Sequence, residues 1–250
     1  MDPLIALLAT IVGYLCGSIS FARLVTRIVA PDTNVTQTEV EVGDSEEKIT
    51  MGAVSATAVS MHIGPRFGFI TVVLDMLKTA LPALVFKRVY PDTPYFLITA
   101  TAGMVGHIWP LYHRFRGGRG LSTVYGGMFA IDWIGVFATS LGGMFLGIFV
   151  LRDVLVAYMG GLWLTIPWLW FRTHDLAHLA YALAVNVIFG LAMIPEIRQY
   201  IKFKREGKEV DISHTMQYTG MGRGIYKMAR RFGALKDQPQ SDEDKEESVA

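Results

Sequence analysis

The sequence predicts an all-α protein, a polytopic membrane helix bundle of about seven short spans. Three observations lead there. The chain is 52% hydrophobic and only 18% charged, against roughly 25% charged residues in soluble domains. Its charges fall mostly between apolar runs, leaving the runs nearly bare, and mean hydropathy is +0.36. In lipid such runs must be helical, because backbone polar groups have to be satisfied within the segment.

Pro3 to Val29 forms the first span, its apolar part ending at Arg23 and Arg27. The first residues lack the basic stretch of a cleavable signal peptide, so this reads as an uncleaved span. Pro31 to Lys48 is a polar loop carrying six acids, Asp32, Glu39, Glu41, Asp44, Glu46 and Glu47. It is expected as a solvated, partly disordered insertion. Met51 to Gly64 is apolar and rich in small residues but too short to span, which suggests an interfacial or re-entrant segment. Phe67 to Val89, Tyr95 to Tyr112, Leu121 to Ile131, Trp133 to Leu151, Val154 to Phe171 and Leu176 to Pro195 supply the remaining spans. Glycines at 126, 127, 142, 143, 147, 160 and 161 are expected to let helices approach closely. The domain reading is a transmembrane unit over 1–197, with the acidic loop 31–48, and a tail over 198–250 that is basic, then acidic and partly disordered.

Placing the N-terminus outside puts Arg23, Arg27, Lys48, Arg66, Arg114, Arg116, Arg119, Arg152 and the basic tail in the cytoplasm. Only Lys87, Arg88 and Arg172 then face out. The net charge of +1 gives no support for a nucleic-acid partner. A single cysteine, Cys16, excludes an internal disulfide framework.

The stretch most suggestive of chemistry is GHIWPLYHRFRGGRGLST, Gly106 to Thr123. Gly117, Gly118 and Gly120 allow a tight turn that aims N–H groups at an anion. Arg116 and Arg119 add forked donors suited to phosphate. Ser122 and Thr123 open a helix whose N-terminus favours negative charge. Together they suggest a phosphate cradle, and a topology-setting basic turn is the plainer alternative. Asp75 and Lys78, three apart in the second span, share a helix face, as a structural ion pair or as a lysine near bound phosphate. His107, near the end of the third span, is a buried hydrogen-bonding group or an acid–base group. His174 and His178 have metal-compatible spacing but no third ligand nearby.

These motifs resemble the PlsY-type acyl-phosphate:glycerol-3-phosphate acyltransferases of bacteria, collinearly from Pro3 to about Glu209. GSISFARL (Gly17 to Leu24) resembles that family's GSIPxxxL, LDMLK (Leu74 to Lys78) its LDxxKG, and the glycine-rich stretch its GHxFPxxxxFKGGKGVAT. The resemblance implies acyl transfer from acyl phosphate to the 1-hydroxyl of glycerol 3-phosphate, forming lysophosphatidate for phospholipid synthesis. It implies no metal and no cofactor. It points to Ser18, Lys78 and His107 as catalytic candidates. Arg116, Gly117, Gly118, Arg119, Gly120, Ser122 and Thr123 would bind acyl phosphate, and Gly52 and Thr57 belong to a second substrate segment. A monomer in the bacterial inner membrane is expected.

The chain departs from the family on the acceptor side. MGAVSATAVSM (Met51 to Met61) stands where the family has SGNxGATNxxR, so Ala53 and Ala58 replace asparagines and Met61 an arginine. A family serine gives way to Leu155 or Tyr158. IRQYI replaces HRxNI, with Ile197 for histidine and Tyr200 for asparagine. The alternative function is therefore an impaired relative that binds acyl phosphate or lipid phosphate as a regulatory or structural membrane protein. A transporter is a third reading, weakened by the lack of an obvious inverted repeat.

Overall fold

The computed structural model describes residues 1–36, 38–42, 45–51, 53–151 and 154–206. Gly52, Arg152, Asp153 and the tail beyond residue 206 lie outside the described residues, as do the side chains of Leu155, Tyr158 and Tyr200. Nine α-helices are described: α1 (Pro3–Gly17), α2 (Phe21–Val29), α3 (Ala56–His62), α4 (Pro65–Val89), α5 (Tyr95–Ile108), α6 (Leu121–Ile131), α7 (Trp133–Phe145), α8 (Val154–Thr173) and α9 (Leu176–Arg205). A π-helical stretch, Leu146–Leu151, continues α7. Four stretches are long and apolar enough to cross a bilayer: Pro3–Val29, Pro65–Val89, Trp133–Leu151 and Leu176–Gln199. The remaining apolar helices are shorter or less apolar.

The elements differ from expectation at several places. The first span is broken. α1 ends at Gly17, and Ser18 Oγ donates to the Tyr14 carbonyl at 2.8 Å while accepting from Leu111 N–H at 3.3 Å. The acidic loop is not wholly irregular, because β1 (Thr38–Val42) and β2 (Ser45–Met51) form an antiparallel hairpin with a bulge between Glu41 and Val42. Alternation in TEVEV and in KITM is the strand signal that the acid count hid. The expected interfacial segment holds α3, capped by Ser55, whose side chain accepts from Ala58 N–H. α5 stops at Ile108, just before Pro110, which has no N–H to continue a helix. α9 passes through Pro195 and the expected 197/198 boundary to Arg205.

The helices pack at backbone contact. A Cβ on Gly13 or Gly17 of α1 would overlap the carbonyls of Thr99 and Gly103 on α5. Gly143 of α7 meets Gly161 of α8 in the same way, and Gly126 of α6 meets Met76 of α4. Small residues thus replace hydrophobic drive, which lipid does not supply, with close dispersion contact. Met104, Met128, Leu162, Leu169 and Val185 fill the centre of the bundle. Outward-facing Leu4, Phe69, Phe137, Phe145, Val187 and Leu191 are exposed, as a lipid-facing surface requires. At one end of α4, Lys87 Nζ donates to the Ala130 and Ile131 carbonyls at 2.8 Å each, closing the open end of α6.

Candidate functional site

The break between α1 and α2 leaves the Ile19 carbonyl free for a donor from another helix. Lys78 of α4 supplies it: Nζ donates to Ile19 O at 2.7 Å and contacts His107 Nδ1 at 2.8 Å. Asp75 Oδ1 lies 2.7 Å from the same nitrogen, an ion pair, and 3.6 Å from His107 Nδ1. Asp75, Lys78 and His107 are all buried, at 1%, 6% and 8% exposure. Burying one charge would be costly, and here the opposite charges are adjacent. An ammonium has only donors, so His107 Nδ1 must accept and the neutral ring carries its proton on Nε2. The ring's Nε2–H side faces Gly118.

The glycine loop closes over that ring. After a 3-10 turn (Leu111–His113), Arg114 and Phe115 both take left-handed backbone, with φ of 52° and 59°. Such conformations in non-glycine residues cost energy and cluster at functional sites. Gly118 N–H donates to the His107 carbonyl and Gly117 O accepts from Val54 N–H, both at 3.1 Å. A Cβ on Gly117 would overlap the His107 carbonyl, and one on Gly118 would overlap His107 Nε2. Gly120, at φ +93°, caps α6 where a side chain would be strained. The glycines therefore serve close packing on His107 as well as turning, and the Gly118 N–H is taken up within the protein. Thr123 Oγ1 donates to Gly120 O at 2.7 Å.

A narrow cleft is lined by Ser18, Ile19, Ser20, Ala22, Val54, Asp75, Lys78, His107, Pro110 and Gly118. Of the residues expected from sequence, the structure gathers Ser18, Lys78, His107 and Gly118 there. Gly117, Gly120, Ser122 and Thr123 stand behind them in the loop and the first turn of α6. Arg116 is exposed, and its carbonyl accepts from Arg23 Nη2 at 2.9 Å. Arg119 turns toward α9 and pairs with Glu196. Burial pushes the Arg119 guanidinium down to about 10, so it remains a cation at neutral pH. His113 is held below the usual imidazole range by burial, then by the charges of Arg23 and Lys78. Thr57 lies in the first turn of α3, away from the cleft lining.

Sequence reasoning missed Ser20, the Ile19 carbonyl, Arg23 and Glu196. Asp75 was paired with Lys78 but not placed at the site. An acid directly after Pro195 in an otherwise apolar run was the available signal for Glu196. Two of the replaced acceptor positions, Ala53 and Ala58, are buried. Ala58 sits in a cluster with Ala22, Val25, Val35, Val54 and Val59.

The family model described as glycerol-3-phosphate acyltransferase matches residues 7–204. Glycerol-3-phosphate acyltransferase of Photorhabdus laumondii is 33% identical over 155 residues, covering 62% of each chain. That of Enterobacter sp. is 35% identical over 148 residues, covering 58% of this chain and 63% of the relative. The chain thus matches a little under two thirds of the length of these curated relatives. A crystal structure of PlsY (YgiH), an integral membrane glycerol 3-phosphate acyltransferase in its glycerol 3-phosphate form, superposes with a TM-score of 0.64 at 25% identity. That match covers 82% of this chain and 94% of the other. With most of its length inside the family's pattern, and its helices arranged as in a solved membrane acyltransferase, the chain belongs to the glycerol-3-phosphate acyltransferase family.

Proposed function

We propose that this protein is a membrane acyltransferase of phospholipid synthesis that moves an acyl group from acyl phosphate to glycerol 3-phosphate. One observation carries the reading: Asp75, Lys78 and His107 form a buried charged cluster directly beneath the Gly117–Gly118 turn. The cluster fixes an imidazole N–H, backed by an ammonium, against the glycine loop in the wall of the narrow cleft. Arg116, Arg119, Gly120, Ser122 and Thr123 complete the acyl-phosphate side. Gly52 and Thr57 belong to the acceptor side. Ser18 acts as a positioning residue, since its hydroxyl already bridges Tyr14 and Leu111.

Transfer is direct. The acceptor's 1-hydroxyl oxygen forms a bond to the acyl carbonyl carbon. The bond from that carbon to the phosphate oxygen breaks, and its electron pair leaves with phosphate. The hydroxyl proton goes to the departing phosphate, whose second ionisation lies near neutrality. His107 Nε2–H and the nearby cations stabilise charge developing on the leaving group, and holding both substrates together supplies much of the rest. The protein works as a monomer in a bacterial inner membrane, its N-terminus outside and its basic tail in the cytoplasm.

The test is phosphate release from palmitoyl phosphate by the purified full-length chain, with and without glycerol 3-phosphate. Acceptor-dependent release with lysophosphatidate as product is expected. Binding of palmitoyl phosphate without product would refute the enzymatic reading and identify an impaired family member.

A further inference from the structure

Glu196 sits on α9 and reaches the glycine loop from outside the motifs that define it. Its carboxylate pairs with the Arg119 guanidinium, the two side chains being 16% and 24% exposed. Its second oxygen, Oε2, is buried without a hydrogen-bond partner among the described residues. Buried acceptors of that kind are disfavoured and uncommon. Arg119 meanwhile stands between Gly118 and Gly120, in the loop assigned to phosphate, yet its side chain is turned away to α9. A guanidinium fork binds a carboxylate or a phosphate with the same geometry. A phosphate dianion brings more charge and more acceptor oxygens than one carboxylate.

We infer that Glu196 is a built-in competitor for the phosphate of the acyl donor: it holds Arg119 while the site is empty and yields it when phosphate arrives. This rests on the acyl-phosphate reading of the loop. Glu196 thereby sets the affinity of the loop for its donor. The Glu196 side chain is itself 16% exposed, near the end of α9 where the cation of Arg198 is exposed, so a displaced carboxylate can leave the pair without crossing the core. The orphaned Oε2 favours that release, because in water it gains the partners it lacks when buried. The alternative role, a static prop that aims Arg119, makes the opposite prediction for binding.

Glu196→Gln keeps the size and one carbonyl acceptor but removes the charge. In the full-length protein in nanodiscs, KM for palmitoyl phosphate should fall by up to about fivefold, the range of a partly exposed ion pair. The kcat should stay unchanged, since only binding is altered. Inorganic phosphate, titrated calorimetrically, should bind more tightly by the same factor. Both gains should vanish in an Arg119→Ala background, because Glu196 acts through Arg119. A raised or unchanged KM, with phosphate binding weakened or unaltered, overturns the inference in favour of a prop. If the wild type shows no turnover, the enzymatic reading falls, while the phosphate titration still decides the competition. Failure of both proteins to bind inorganic phosphate overturns the inference together with the loop's role.

Discussion

Gly118→Ala isolates the contact between the glycine loop and His107. Gly118 has no positive φ, so alanine fits its backbone, and any effect comes from the added methyl. That methyl would overlap His107 Nε2 and stand 2.9 Å from Cε1 and 3.2 Å from Cδ2, inside the 3.4–4 Å of ordinary contact. The ring cannot slide freely, because Nδ1 is tied to Lys78 at 2.8 Å and the His107 carbonyl to Gly118 itself. Displacing it gives up a hydrogen bond to a charged group, about 1.5–3 kcal/mol, or about a tenfold to hundredfold loss of rate. The assay is lysophosphatidate formation from palmitoyl phosphate and labelled glycerol 3-phosphate, alongside a melting curve in detergent. Gly190→Ala is the control, since nothing lies within 4 Å of its new methyl. Equal kcat in the two variants would refute the reasoning. So would a Gly118→Ala protein that loses folding and activity in parallel.

Lys78→Met strands Asp75 in the bundle, which typically costs about 3–5 kcal/mol, so both Tm and turnover should fall. Adding Asp75→Asn should restore Tm but not turnover, and recovery of turnover would reduce the pair to a structural role. Glycerol 3-phosphate should be used poorly, because Ala53 and Ala58 are buried and offer no polar side chain, Ala58 within an apolar cluster. Its KM is expected above about 1 mM, the top of the common range, and saturation at micromolar acceptor would contradict that. In a Cys16→Ser background, cysteines at Thr93 and Thr173 should label from outside and one at Tyr112 only after permeabilisation, and the reverse pattern would invert the topology.

Much of the bundle was legible because lipid leaves few choices. α6 has the predicted bounds, and α4 begins two residues before its prediction. The shared face of Asp75 and Lys78 also followed from helical spacing. What escaped were features set by distant partners. The kink after Gly17 is accompanied by Ser18 meeting Leu111, a distant partner, while Gly17, Ser18 and Ser20 are only a weak local signal of it. Arg119 looked like a free phosphate ligand until α9 brought Glu196 beside it. The loop glycines were read as donors to an anion. One of those donors is spent on His107, and the missing side chains matter at least as much.

The two lysines of α4 have a shared consequence. Lys78 takes a carbonyl from the break between α1 and α2, and Lys87, nine positions further on, takes two from the end of α6. At 1.5 Å per residue these anchor points stand about 13.5 Å apart along one axis. A rod pinned at two heights can neither slide by a helical turn nor roll about its axis without breaking both pins. Any motion that admits a long acyl chain must therefore come from the elements around α4, with this helix as the fixed post against which they swing.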